Sequence, residues 1–162
     1  LNETMISNLS LVQSNPDIQW IWQYGKQGQL KYGDTPYGKN IKGMAFIERT
    51  DLAYAIADVV LCRAGALTIS EVLVANKPCI LVPSPNVSED HQTHNALALT
   101  DQGAAIMIQD DDCNVKAIRM VLELIDDATA MELMSKAQTS VARPQAAALI
   151  VDELFKLIPK AA

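Results

Sequence analysis

Positive charge is in short supply in this sequence. Thirteen Lys and Arg stand against 19 Asp and Glu, giving a formal net charge of -6 and a pI near 4.8. A nucleic acid or an anionic membrane surface would meet its own sign of charge here, so neither is expected as the main partner. Any phosphate ligand must then be held by main-chain dipoles. Cysteine is scarce too: Cys62, Cys79 and Cys113 are far apart and form no C-x-x-C pair, which fits a reducing compartment and buried thiols. No apolar run approaches the ~20 residues of a spanning helix, and no basic segment leads into an apolar one at the start, so the chain is read as cytosolic. The two histidines, His91 and His94, lie three residues apart beside Glu89 and Asp90, but no second cluster supplies a third or fourth ligand, and no metal is expected. No Ser-His-Asp or Cys-His nucleophile is legible.

The 162 residues fit one domain, 1–162, able to bury a sizeable core. Leu1 opens what reads as the interior of an amphipathic helix with no strand before it, as expected of a piece cut from something longer. The helical spacing of Met5, Ile6, Leu9 and Val12 predicts a helix from Leu1 to about Ser14. The run from Ile18 to Tyr24 predicts a strand, with Trp20 and Trp22 as packing residues rather than sugar-stacking ones. A polar loop from Lys26 to Asn40 leads to a strand over Ile41–Ile47 and a helix over Asp51–Ala57. A strand over Asp58–Cys62, a helix over Thr68–Ala75 and an unbroken apolar strand over Cys79–Val82 follow. Pro83 to Ser88 forms a stiff loop into a helix that opens at Glu89–Asn95 and carries an apolar face of Ala96, Leu97 and Leu99. A short strand over Ala104–Ile108 precedes helices over 114–125, 127–139 and 145–158. This alternation is the α/β pattern of a parallel sheet.

The stretch Asp58-Val59-Val60-Leu61-Cys62-Arg63-Ala64-Gly65-Ala66-Leu67-Thr68-Ile69-Ser70-Glu71 reads as strand, tight turn and helix start. The free N–H groups of a first helical turn and the positive end of the helix dipole bind anions, so a phosphate fits against Ala66, Leu67 and Thr68. Glu71, one turn on, suits the hydroxyls of a ribose. The competing reading is a capping box, in which Thr68 caps the helix and Glu71 reaches back to the Thr68 amide. Ligands of parallel sheets bind beyond the C-terminal ends of the strands. There the topology brings together the Phe46–Glu48 segment, the Gly65–Glu71 turn and the Ser84–Asn95 loop and helix start.

That stretch, followed by Pro78, Val82-Pro83 and His91-Gln92-x-x-Asn95-Ala96, closely resembles the C-terminal half of the MurG family, and the likeness runs across nearly the whole chain. The resemblance implies a Rossmann-like domain, the C-terminal half of a two-domain GT-B glycosyltransferase that uses UDP-N-acetylglucosamine. It implies that backbone groups at Ile47 read the uracil edge, that amides of Leu67 and Thr68 hold the diphosphate, and that Glu71 takes the ribose hydroxyls. Gln92, with His91 or Asn95, would reach the sugar, and Arg63 would be a supporting residue. Such an enzyme transfers N-acetylglucosamine, with inversion and without a cofactor, to the 4-hydroxyl of a lipid-linked muramyl-pentapeptide in peptidoglycan synthesis. It works as a peripheral enzyme at the cytoplasmic face of the bacterial inner membrane.

The family's domain opens with a strand and a Gly-Gly-Ser turn, which this sequence lacks. Catalytic and acceptor contacts, and the membrane contact, would lie in the other half, so these residues alone are expected to be inactive. Two other readings stand beside this one: the donor domain of another UDP-sugar transferase or epimerase, and a non-catalytic nucleotide-binding α/β module.

Overall fold

In the computed structural model, residues 1–33, 37–86 and 90–157 are described. The chain opens with helices α1 (Asn2–Ser7) and α2 (Leu9–Gln13) instead of the single helix expected. The break falls at Asn8, whose side-chain amide donates to Thr4 O at 2.9 Å and Asn114 O at 2.8 Å. An asparagine that competes for backbone acceptors interrupts a helix in this way.

Strands β1 (Trp20–Gln23) and β2 (Ile41–Met44) pair in parallel, Trp20 opposite Ile41 and Gln23 opposite Met44. Between them, α3 (Gln29–Tyr32) occupies part of the expected loop; Pro36 of that loop lies outside the described residues. β2 stops three residues short of Ile47 because its partner turns away: Tyr24 N–H still donates to Met44 O at 3.0 Å, and Gly25 then bends the chain with φ +79°. Trp22 is a core residue, as expected, with its ring 5.1 to 5.4 Å from the rings of Tyr24, Tyr32 and Tyr37.

Helix α4 (Thr50–Ile56) leads to a second sheet, in which β3 (Val60–Arg63), β4 (Cys79–Val82) and β5 (Ile106–Met107) are parallel and β4 is central. All four β4 residues are buried. Cys79 and Leu81 face a cluster with Val72, Leu73, Ala96 and Leu99, while Ile80 and Val82 face one with Ala117, Val121, Leu124 and Met134. Strand alternation with helices on both faces explains the unbroken apolar run.

The covering helices are α5 (Ala66–Ala75), α6 (His91–Thr100), α7 (Cys113–Asp126) and α8 (Ala128–Val141). A last helix, α9 (Ala146–Leu157), is exposed along its length. α5 ends at Asn76, which takes the left-handed conformation (φ 54°), and α8 begins at Asp127, whose carboxylate accepts Ala130 N–H at 2.9 Å. β5 is shorter than expected because Ala104 N–H turns back to Leu99 O at 2.9 Å to close α6. Leu97 is no part of the buried face of α6, which consists of Ala96 and Leu99. Glu89, expected to open that helix, and Ile158, expected to end the last one, lie outside the described residues.

The parallel α/β architecture is as the sequence predicts, but the sheet is in two parts. β1 pairs only with β2, and β3 pairs with β4 alone among the described strands.

Candidate functional site at the corner between β3 and α5

Helix α5 starts two residues earlier than its Thr-x-x-Glu pattern suggests. Gly65 occupies the N-cap position with φ -71° and ψ 141°, and no side chain caps the helix. The first amide to find a helical partner is that of Ile69, which donates to Gly65 O at 2.9 Å. The N–H groups of Ala66, Leu67 and Thr68 are therefore the open donors of the first turn. Ala66 and Leu67 are exposed, Leu67 at 82 %, so these amides sit at a wet rim. The capping-box reading is corrected: Thr68 is the third helical residue, and the Glu71 carboxylate accepts a hydrogen bond from the Tyr54 phenol at 3.1 Å.

Gly65 carries a second message. Its backbone angles suit any residue, and a Cβ built on it would meet nothing nearer than Thr68 Oγ1 at 3.9 Å. Nothing in the fold requires glycine there. A bare Cα at an open helix start lets a ligand approach the backbone closely.

Two of the three segments expected at the rim are joined directly. Asn95 Nδ2 donates to Ala64 O at 3.2 Å, tying α6 to the corner, and Ser84 N–H donates to Gln92 Oε1 at 2.9 Å, tying the β4 exit to the same helix. Gln92 and Asn95 thus each use part of their side-chain amide on the scaffold. His91 is the exposed first residue of α6. The third segment is attached less directly. Ile47 N–H donates to Gln23 Oε1 at 2.8 Å, and the helix that follows, α4, places Tyr54 against Glu71.

Arg63 has the supporting place expected of it. At the end of β3 its guanidinium donates to Pro83 O at 3.1 Å and pairs with Asp110, binding the exits of β3, β4 and β5 together. A nearby cleft of about 240 Å³ is lined by Pro83, Ser84, Pro85, Thr93, Gln109 and three aspartates, Asp90, Asp110 and Asp111. That lining repels a diphosphate, which favours the corner as the anion site.

Burial pushes the thiols of Cys62 and Cys79 up to about 12, so neither is a thiolate nucleophile near neutrality. Among the described residues no three His, Cys, Asp or Glu side chains are grouped to hold a metal ion. Tyr54 and Gln23 escaped the sequence reading. Each meets its partner across a long sequence separation, which no local pattern records.

A parallel α/β domain whose strand-to-helix corner opens three amides at the C-terminal rim has the architecture of the C-terminal domain of a GT-B glycosyltransferase. The chain belongs to glycosyltransferase family 28: residues 1–151 match the family's C-terminal domain. It is 43 % identical over 161 residues to a Cytophaga hutchinsonii protein named UDP-N-acetylglucosamine–N-acetylmuramyl-(pentapeptide) pyrophosphoryl-undecaprenol N-acetylglucosamine transferase, covering 98 % of this chain and 42 % of that protein. A Bacteroides fragilis protein of the same name is 42 % identical over 164 residues, covering 97 % of this chain and 42 % of its own length. Among solved structures, Acinetobacter baumannii MurG superposes with a TM-score of 0.70 at 31 % identity, covering 93 % of this chain and 46 % of that one. The resemblance read from the corner motif is borne out. The chain spans less than half the length of these relatives.

Proposed function

We propose that residues 1–162 are the donor-binding domain of an inverting transferase that moves N-acetylglucosamine from UDP-N-acetylglucosamine to the 4-hydroxyl of a lipid-linked muramyl-pentapeptide. The observation that carries this is the open first turn of α5, with Gly65 before it and the Glu71 carboxylate one turn on. Two relatives more than 40 % identical over nearly all of this chain bear the name of that transferase.

On this reading the diphosphate lies on the amides of Ala66, Leu67 and Thr68, and Glu71 accepts the ribose hydroxyls. With the Ile47 amide taken by Gln23, the uracil N3–H is left to the Ile47 carbonyl. Gln92 Nε2, Asn95 Oδ1 and His91 lie on the side from which the sugar enters. As the acceptor hydroxyl attacks the anomeric carbon, the bond to the diphosphate breaks and negative charge grows on the leaving oxygen. Fixed N–H donors at a helix start bind the leaving diphosphate better than they bind the ground-state diphosphate ester, which carries one negative charge fewer, and this lowers the barrier. The general base, the acceptor contacts and the attachment to the cytoplasmic face of the bacterial inner membrane come from outside this domain. No described helix is long and apolar enough to cross a membrane.

Calorimetric titration of the full-length chain with UDP, UDP-N-acetylglucosamine and ADP tests the reading. Selective binding of the uridine ligands, lost in Glu71→Ala, supports it. Indifference to all three favours a module without a donor.

A further inference from the structure

The corner contains a contact that the donor-site reading does not use. Tyr54 lies on α4, its ring is half-buried against the cluster around Val72, Leu81 and Ala96, and its phenol donates to Glu71 Oε2 at 3.1 Å. Glu71 itself is exposed on α5, and among the described residues no cation pairs with it. A glutamate on an open helix face samples several rotamers, and each one that points away from a ligand reduces its affinity. Here one carboxylate oxygen is held from a neighbouring helix.

We propose that Tyr54 is a positioning residue for Glu71, holding Oε2 so that Oε1 faces a vicinal diol, and that the pair sets the preference of the corner for ribo- over deoxyribonucleotides. The inference rests on the donor-site reading of Glu71. An ionised carboxylate offers about four lone-pair sites, so one bond from a phenol leaves capacity for two hydroxyl donors. Burial, and then the neighbouring carboxylate, push the phenol well above the ordinary tyrosine range, so it stays a donor through neutral pH. Packing of the ring against the core cluster fixes where that donor sits.

The test is equilibrium binding of UDP, 2′-deoxy-UDP and inorganic pyrophosphate to the full-length chain as wild type, Tyr54→Phe, Glu71→Ala and the double variant. Tyr54→Phe removes one oxygen and keeps the packed ring. It is expected to weaken UDP about tenfold, the size of one hydrogen bond to a charged group, and to lower the UDP to 2′-deoxy-UDP ratio with it. Pyrophosphate binding stays unchanged, because pyrophosphate has no diol; a merely loosened corner would weaken it as well. In the Glu71→Ala background the Tyr54 change has no further effect. A wild-type ribose preference in Tyr54→Phe, alongside its loss in Glu71→Ala, overturns the role of Tyr54 and leaves the donor site standing. Wild-type UDP binding by Glu71→Ala overturns the donor-site reading, and the role of Tyr54 with it.

Discussion

Asn95 on α6 donates its side-chain amide to the carbonyl of Ala64, 3.2 Å away, in the turn that opens α5. Ala64 has no solvent exposure, so without this donor its carbonyl would be left unpaired. The bond fixes the helix that carries Gln92 and His91 to the corner that carries the open amides. Asn95→Ala is expected to lower stability by about 1–2 kcal/mol, the cost of an unsatisfied buried acceptor. The measurement is the urea midpoint, with the slope of the transition unchanged. An unshifted midpoint would show that the two elements are not fastened there.

Gly65→Ser separates stability from binding. Serine is a preferred N-cap residue and suits the φ and ψ already present, so its hydroxyl satisfies the Thr68 amide and stability holds or rises by a few tenths of a kcal/mol. The same hydroxyl occupies the place of a phosphate oxygen. UDP affinity is expected to fall about tenfold, an effect of roughly 1.4 kcal/mol, when calorimetry and thermal melting are run on the same sample. Undiminished affinity would remove the first turn of α5 from the site.

Trp22 is packed among three tyrosines, and its indole N–H donates to Asn2 Oδ1 at 3.1 Å. Trp22→Ala is expected to cost about 3–5 kcal/mol of stability, as core tryptophan truncations do. A sugar-stacking role predicts the opposite pattern, near-normal unfolding with lost donor binding. Chemical denaturation of the variant distinguishes the two.

The sequence marked some of this clearly and hid the rest for physical reasons. β4 was legible to the residue because burial on both faces makes Cys79, Ile80, Leu81 and Val82 an unbroken apolar run, and Pro78 and Pro83 bound it on either side. The corner was legible as a strand-to-helix junction, yet Thr68 and Glu71 drew the helix start two residues too late, since Gly65 caps with its backbone and has no side chain to show it. The division of the sheet left no trace, because periodicity reports which face of a strand is buried and nothing about which edge is paired. Tyr54 in Leu-Ala-Tyr-Ala-Ile reads as an ordinary helix residue; its role depends on Glu71, 17 residues away.

The thiol of Cys79, almost wholly buried, is raised to about 12 by burial, against an ordinary value of 9.0. A raised folded-state value means that the unfolded chain loses this proton first as the pH climbs. The stabilising contribution is therefore complete below about pH 9 and is lost progressively as the pH rises toward 12. Urea midpoints from pH 8 to 10.5 should fall more steeply for the wild type than for Cys79→Ala. Parallel slopes would show that this thiol does not titrate on unfolding.

The most direct test of the central claim is a titration of the isotope-labelled full-length chain with UDP, followed through its backbone amide resonances. Saturable shifts of Ala66, Leu67 and Thr68, with the same curve at Glu71 and a weaker one in Glu71→Ala, are the predicted result. Binding of UDP that leaves those three amides unmoved would contradict it, because the ligand would then be held somewhere other than the first turn of α5.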